Sequence, residues 1–248
     1  MTIPAIEVSG VGKGFGSGRK RNQALGDLSL SIAQGEVFGF LGPNGAGKST
    51  TIKLLLRFLK PDYGSLHILG KTVGQDEFRH RIGYLSEVPV FYDYLTARET
   101  LLLSGRLSGM TRQAIDQRIP MLLERMTLID AADRRVGGFS KGMKQRLGMA
   151  NALIHDPEVL IFDEPMSGLD PVGRHQIKGL IAELKQEGKT IFFSSHILSD
   201  IEALCDRIGI IHKGVLLYSG GLGDFLSTGG GLEERFVTVI EEANHACA

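Results

Sequence analysis

Val37 to Thr50 is the stretch that most narrows the folds open to this chain. The apolar run Val37-Phe38-Gly39-Phe40-Leu41 passes straight into Gly42-Pro43-Asn44-Gly45-Ala46-Gly47-Lys48-Ser49-Thr50, and apolar positions at helical spacing follow. That is a strand, a G-x-x-x-x-G-K-[ST] loop and a helix, in the order the motif needs. The glycines let successive backbone N–H groups converge into an anion-binding nest at a helix N-terminus. Lys48 adds a mobile positive charge for β- and γ-phosphates, and the Ser49 hydroxyl can ligate Mg²⁺. A glycine-rich structural turn is the other reading of the loop alone, and the strand and helix around it argue against that. The stretch implies a nucleoside triphosphate site.

Around it the chain reads as alternating strands and helices. Ile6 to Val8 and Leu28 to Ile32 alternate apolar and polar, as short antiparallel strands do. Lys48 to Leu59 reads as one helix, with Pro61 and Gly64 behind it. Strands are expected at Gly64 to Ile68 and at Arg81 to Leu85. From Thr96 to Ile154 the pattern is helical, with Thr96 and Thr111 as N-caps and Gly109 closing one helix. Asp156-Pro157 ends that stretch. Strand signals return at Val159 to Phe162, Thr190 to Ser194 and Arg207 to His212, with a helix from Pro171 to Glu187 between them and Gly188 just past its end. Such alternation points to an α/β protein with a mainly parallel sheet. An antiparallel β subdomain precedes it, and a helical subdomain is inserted at about 88–156. Gly220 to Gly231 reads as a loose glycine-rich segment, and Leu232 to Glu242 as a short charged terminal element.

Two further segments carry chemistry. Val159-Leu160-Ile161-Phe162-Asp163-Glu164 is an apolar strand that delivers two carboxylates to the sheet edge where ligands bind in open α/β folds. Asp163 can meet the Mg²⁺ held by Ser49, and Glu164 is placed to orient or deprotonate an attacking water. A solvent-facing acidic pair is the alternative, and the phosphate loop in the same chain argues against it. Phe139-Ser140-Lys141-Gly142-Met143-Lys144-Gln145-Arg146 opens a helix and forms a second potential anion site; taken alone, it is indistinguishable from an ordinary helix cap.

The order of these segments resembles the nucleotide-binding domain of ABC transporters over nearly the whole chain, from about Ile6 to Phe236. Gly42 to Thr50 is similar to the Walker A loop, Leu160 to Glu164 to Walker B, and Ser140 to Arg146 to the signature segment. Ser167-Gly168-Leu169-Asp170 resembles the D-loop and His196 the switch histidine. Phe15 stands where the family places an aromatic that stacks on adenine. Gly83 to Glu87 resembles the Q-loop. The resemblance implies a P-loop NTPase (RecA-like) fold, with a nucleotide-binding domain over 1–232 and a C-terminal tail over 233–248. It also implies ATP and Mg²⁺ as cofactors, with Ser49, Asp163 and Glu87 around the metal. Glu164 would polarise water, Lys48 and His196 would hold the γ-phosphate, Ser140 and Gly142 would face ATP bound by a partner, and Asp170 would be among the nucleotide-binding residues.

This sequence departs from the family pattern at named positions. The usual signature reads Leu-Ser-Gly-Gly-Gln; here Lys141 replaces a glycine and Met143 the glutamine. Glu87 stands in the Q-loop glutamine's place and adds negative charge beside the triphosphate. The stretch between Phe15 and Leu25 is longer than usual. Such signatures and Q-loop glutamates resemble those of ATP-binding subunits paired with ABC-2-type permeases.

One copy of each motif implies a homodimer that sandwiches two ATP molecules head to tail. No run approaches roughly 18 uninterrupted apolar residues, so the resemblance implies separately encoded integral membrane permease subunits. Phe91, Tyr92 and Tyr94 are candidates for the groove that receives a permease helix, with a buried aromatic cluster as the equal alternative. The N-terminus lacks the basic start and apolar core of a secretory signal, and the expected location is cytoplasmic, peripheral on the inner face of the cell membrane.

Other classes fit less well. Lys+Arg and Asp+Glu balance at 28 each, so no overall field draws nucleic acid, and none is expected as a partner. The basic run Arg19-Lys20-Arg21 reads as a solvated loop. The alternative of a soluble non-transport ABC ATPase acting on ribosomes or DNA lacks the paired domains or long coiled coils of those proteins. A regulatory module without catalysis sits badly with Glu164 and His196. A GTPase or small-molecule kinase leaves the signature segment unexplained, and no Asn-Lys-x-Asp guanine motif occurs. Cys205 and Cys247 suggest no disulfide framework, and His245 with Cys247 lacks the further ligands a zinc site needs.

Overall fold

A computed structural model describes residues 3–16, 22–74, 76–227 and 229–246. Arg19-Lys20-Arg21 and Cys247 lie outside them. The first two strands, β1 (Ile6–Phe15) and β2 (Asn22–Ile32), pair antiparallel and run farther than their alternation suggested. Then come β3 (Val37–Leu41), α1 (Lys48–Leu55), β4 (Tyr63–Ile68), the two-residue β5 (Lys71–Thr72) and β6 (Ile82–Leu85). Strands β2-β1-β4-β5 form a four-stranded antiparallel sheet.

The expected helix from Lys48 to Leu59 stops at Leu55. Arg57 takes a left-handed φ of 57°, and the amides of Phe58 and Leu59 turn back onto the Lys53 carbonyl. The periodicity of Leu56, Phe58 and Leu59 was therefore not helical, and Phe58 is exposed.

The middle of the chain holds α2 (Ala97–Leu107), α3 (Arg112–Arg125) and α4 (Lys141–Leu153). Thr96 caps α2 in a full capping box with Glu99, and Thr111 caps α3 through the Ala114 amide. The second half alternates β7 (Val159–Asp163), α5 (Pro171–Gln186), β8 (Thr190–Ser195), α6 (Leu198–Leu204), β9 (Arg207–His212) and β10 (Val215–Gly221), then ends in α7 (Leu222–Leu226) and α8 (Leu232–Ala246). Two expectations are corrected here. Gly220 to Gly231 is not simply loose, because α7 buries Leu222 and Phe225, with Phe225 against the Tyr218 ring. The terminal element is a 15-residue helix running to Ala246.

The main sheet has the order β10-β9-β3-β8-β7-β6, parallel except for β10 at one edge. Its central strands are buried on both faces, which explains their unbroken apolar runs. Phe38, Phe40, Val159, Ile161 and Phe192 face α1 and the antiparallel sheet. Val37, Leu41, Leu160, Phe162, Ile191 and Phe193 face the core shared with α5, α6 and the helical subdomain. Asp163 pairs in register with Ser194, and Leu41 with Ser195. The C-terminal ends of β3, β8 and β7 therefore lie side by side, and the loops that leave them converge.

Candidate nucleotide site

The loop after β3 is shaped by its glycines. Gly47 adopts φ 117°, and a Cβ there would lie 2.8 Å from Leu25 Cδ2. At Gly42 a Cβ would meet the Ile211 carbonyl oxygen at 2.3 Å. Only glycine lets the loop nest this closely against β2 and the end of β9. The turn between β9 and β10 locks it from below, where the Gly214 amide donates to the Ala46 carbonyl at 2.8 Å. Lys48 is buried and donates through Nζ to the carbonyls of Gly42 at 2.6 Å and Pro43 at 3.4 Å. Burial pushes its pKa below the ordinary lysine value, against the opposing pull of the Glu164, Asp163 and Glu87 carboxylates.

Opposite the loop stand the carboxylates that end β7. Ser194 Oγ donates to Asp163 Oδ1 at 2.6 Å and accepts the Glu164 amide at 3.0 Å. Glu164 leaves the strand with φ 49°, a left-handed conformation unusual for a residue with a side chain. That turn aims its carboxylate at His196, whose Nδ1 lies 2.9 Å from Glu164 Oε2. Pro43 to Thr50, Ala24, Glu87, Asp163, Glu164 and His196 line one cavity of about 270 Å³. Its glycine amides, buried ammonium and acidic far wall suit a Mg²⁺-linked triphosphate. Among the described residues no group of three or more His, Cys, Asp or Glu could hold a metal alone. Ser49 and Asp163 are the oxygen donors in this cavity that could share an ion with phosphate oxygens.

Ser140, Gly142 and Asp170 lie elsewhere. With Lys141, Gly168 and Leu169 they line a second cavity of about 410 Å³. Ser140 caps α4 through the Met143 amide, and Asp170 caps α5 through the Gly173 amide. Phe15, at the end of β1, lines neither cavity. It is exposed, with the Lys13 ammonium 5.8 Å from its ring centroid.

Sequence reasoning passed over three contributors. Ser194 looked like one more polar strand residue, although its register with Asp163 could have been suspected once β7 and β8 were taken as neighbours. Gln145 is buried and donates to the Pro165 carbonyl at 2.9 Å, tying α4 to the segment after Glu164. The Gly214 turn gave no local signal.

Comparison with known proteins gives the class first. The profile described as ABC transporter matches residues 25–167. An uncharacterized ABC transporter ATP-binding protein of Nostoc sp. is 46% identical over 232 residues, covering 92% of this chain and 69% of that protein. The Nod factor export ATP-binding protein I of Rhizobium sp. is 43% identical over 222 residues, covering 89% and 72%. The solved structure of an ATP-binding subunit of an ABC transporter superposes with a TM-score of 0.86 at 33% identity, covering 95% of this chain and 99% of that one. A dimeric ATP-binding cassette in a post-hydrolysis state with ADP and Pi matches with a TM-score of 0.80 at 25% identity, covering 88% and 98%. The chain belongs to the ABC transporter family. Within it, the chain is an ATP-binding subunit and an ATPase.

Proposed function

We propose that this chain is the motor of an exporter: two copies close head to tail on two ATP molecules and drive a separately encoded membrane permease. The observation that carries this reading is the division of its motifs between two cavities. One holds Lys48, Ser49, Asp163, Glu164 and His196; the other holds Ser140, Gly142 and Asp170. Neither set is complete alone, and an antiparallel pair completes both.

The chemistry asked of the residues is water attack on the γ-phosphate, with ADP as leaving group. Glu164 takes the proton from the water, and His196, in contact with Glu164, steadies the phosphate. Lys48 and the loop amides stabilise the charge that builds on the phosphate oxygens. Mg²⁺, held by Ser49 and Asp163 and linked to Glu87, would neutralise further phosphate charge when bound. Loss of the γ-phosphate removes the bridge between the copies, which gives ATP and ADP the different affinities for the closed state that a conformational cycle needs. Phe15 is assigned to the adenine.

No helix among the described residues is long and apolar enough to cross a membrane. The face that meets the permease is assigned to the groove of about 400 Å³ between Val90, Phe91, Tyr92 and α2, with Leu103 and Leu107 on its far side. Tyr92 and Tyr94 are 59% and 67% exposed, whereas Phe91 is half-buried against the main core, so the buried-cluster alternative fits Phe91 but not the two tyrosines. An apolar, exposed patch of this kind suits a docking helix. Export is favoured by the named role of the Nod factor relative. The assigned location is the cytoplasmic face of the membrane.

The test is to purify the tagged chain from detergent-solubilised membranes of its host. A stoichiometric multi-spanning protein is the expected companion. Ribosomes, DNA or no companion would instead favour a soluble ABC ATPase.

A further inference from the structure

Asp200 is fully buried and charged, and the hydrolytic chemistry above does not use it. Arg174 of α5 reaches both its oxygens, at 2.7 and 2.9 Å, and Lys178 adds a contact to Oδ1 at 2.8 Å. An ion pair in such a place is a poor source of stability, because desolvating the charges offsets much of their attraction. Its value lies in what it holds.

It spans the gap between the two cavities. The Arg174 amide donates to the Asp170 carbonyl at 2.9 Å, so Arg174 belongs to the turn that Asp170 caps in the second cavity. Asp200 sits in the first turn of α6, just past His196 of the first cavity. Helix α6 is seven residues long and has no side-chain cap. Its entry is held by the Ile197 amide donating to Ser195 Oγ at 3.0 Å, and by the Asp200 amide donating to the Ile197 carbonyl at 3.2 Å. On its other side the segment is held by β8 and by Glu164 Oε2, which accepts the His196 amide at 3.4 Å and lies 2.9 Å from Nδ1, so the tie from Asp200 secures the end that leads into α6.

We infer that Asp200 is a positioning residue that, through Arg174, couples the His196 segment of one ATP site to Asp170. This rests on the head-to-tail reading, in which Asp170 serves the partner's ATP. A shift of His196 on loss of the γ-phosphate then reaches the neighbouring site along a buried strut with two charged ends. Such a link is an element that both sites bias, which is what coupling requires. Arg174, whose Nη2 is shared between both carboxylate oxygens, carries the link, and Lys178 compensates the remaining charge.

The test is steady-state ATP hydrolysis by the full chain and by D200N, D200E, R174M and K178M, with thermal unfolding of each. D200N and R174M should lose roughly five- to tenfold in kcat, with KM for ATP unchanged and the Hill coefficient falling toward one. D200E should recover part of both, and K178M should keep cooperativity. R174M, altered at a partly exposed side chain, keeps the test alive if D200N does not fold. Folded R174M with the parent's kcat and cooperativity overturns the inference while leaving the dimer intact. Loss of activity only in proportion to loss of folded protein overturns it as well. A parent chain that stays monomeric with ATP overturns the head-to-tail reading, and this inference with it.

Discussion

Ser194 and Asp163 face each other across neighbouring parallel strands, and the 2.6 Å bond from the serine hydroxyl fixes one oxygen of the carboxylate assigned to Mg²⁺. The same hydroxyl accepts the Glu164 amide. One buried side chain thus orients the carboxylate of Asp163 and the backbone of Glu164, the two acids proposed to face metal and water. S194A should lower ATP turnover by roughly 10- to 100-fold, as loss of an orienting partner does, and cost about 1–3 kcal/mol of stability. ATPase assays with thermal unfolding decide it, and full activity in S194A would show the hydroxyl to be idle.

Glu164 is the proposed base, so E164Q should lose about 10²- to 10⁴-fold in turnover while keeping the ATP-bound dimer. Size-exclusion chromatography with ATP and Mg²⁺ should show a dimer that ADP does not support. Normal hydrolysis by E164Q would remove the residue from that role.

Lys48 is charged at a cost to the fold. Its lowered pKa means that the penalty is fully present wherever folded and unfolded chains both hold the proton. The penalty lifts as pH climbs through the folded value toward lysine's ordinary one. K48M should therefore unfold at or above the parent's temperature while failing to bind ATP. A Tm several degrees lower would show that Lys48 stabilises the empty loop.

His155 follows α4, with Nε2 2.9 Å from the Ile82 carbonyl, and burial holds its pKa below the usual histidine value. As pH falls through histidine's ordinary range, the unfolded chain takes up this proton before the folded one, and stability drops. H155Q should flatten the fall in Tm between about pH 7 and pH 5. An unchanged slope would assign acid sensitivity to other groups.

Tyr92 and Leu103 flank the exposed apolar groove. L103D or Y92D should abolish association with the permease while basal ATPase stays within about twofold, since surface changes away from the site have small effects. Loss of folding in both would make the groove part of the core.

The phosphate loop and the Walker B strand were readable because each is contiguous: an apolar strand, its turn and its catalytic groups lie in one run of sequence. Capping threonines were readable for the same reason. What escaped depends on contacts distant in sequence. Ser194 matters only because β7 and β8 are adjacent, and Gln145 only because the first turns of α4 pass close to Pro165. The overlong α1 arose because Leu56, Phe58 and Leu59 kept a helical spacing through a left-handed turn at Arg57. Helix α7 was missed because glycines suggested slack where Leu222 and Phe225 supply the packing. The split of the motifs into two cavities was expected only through the family resemblance, which set Ser140 and Gly142 against a partner's ATP; residue spacing by itself gave no hint of it.

Glu164 occupies a backbone angle that glycine would fill more comfortably, by about 1–2 kcal/mol. A lineage selected only for a sturdy fold would drift away from the carboxylate at that turn. Its presence sets thermal robustness against the proposed work per ATP, and a copy released from transport should shed this residue early, growing more stable as it falls silent.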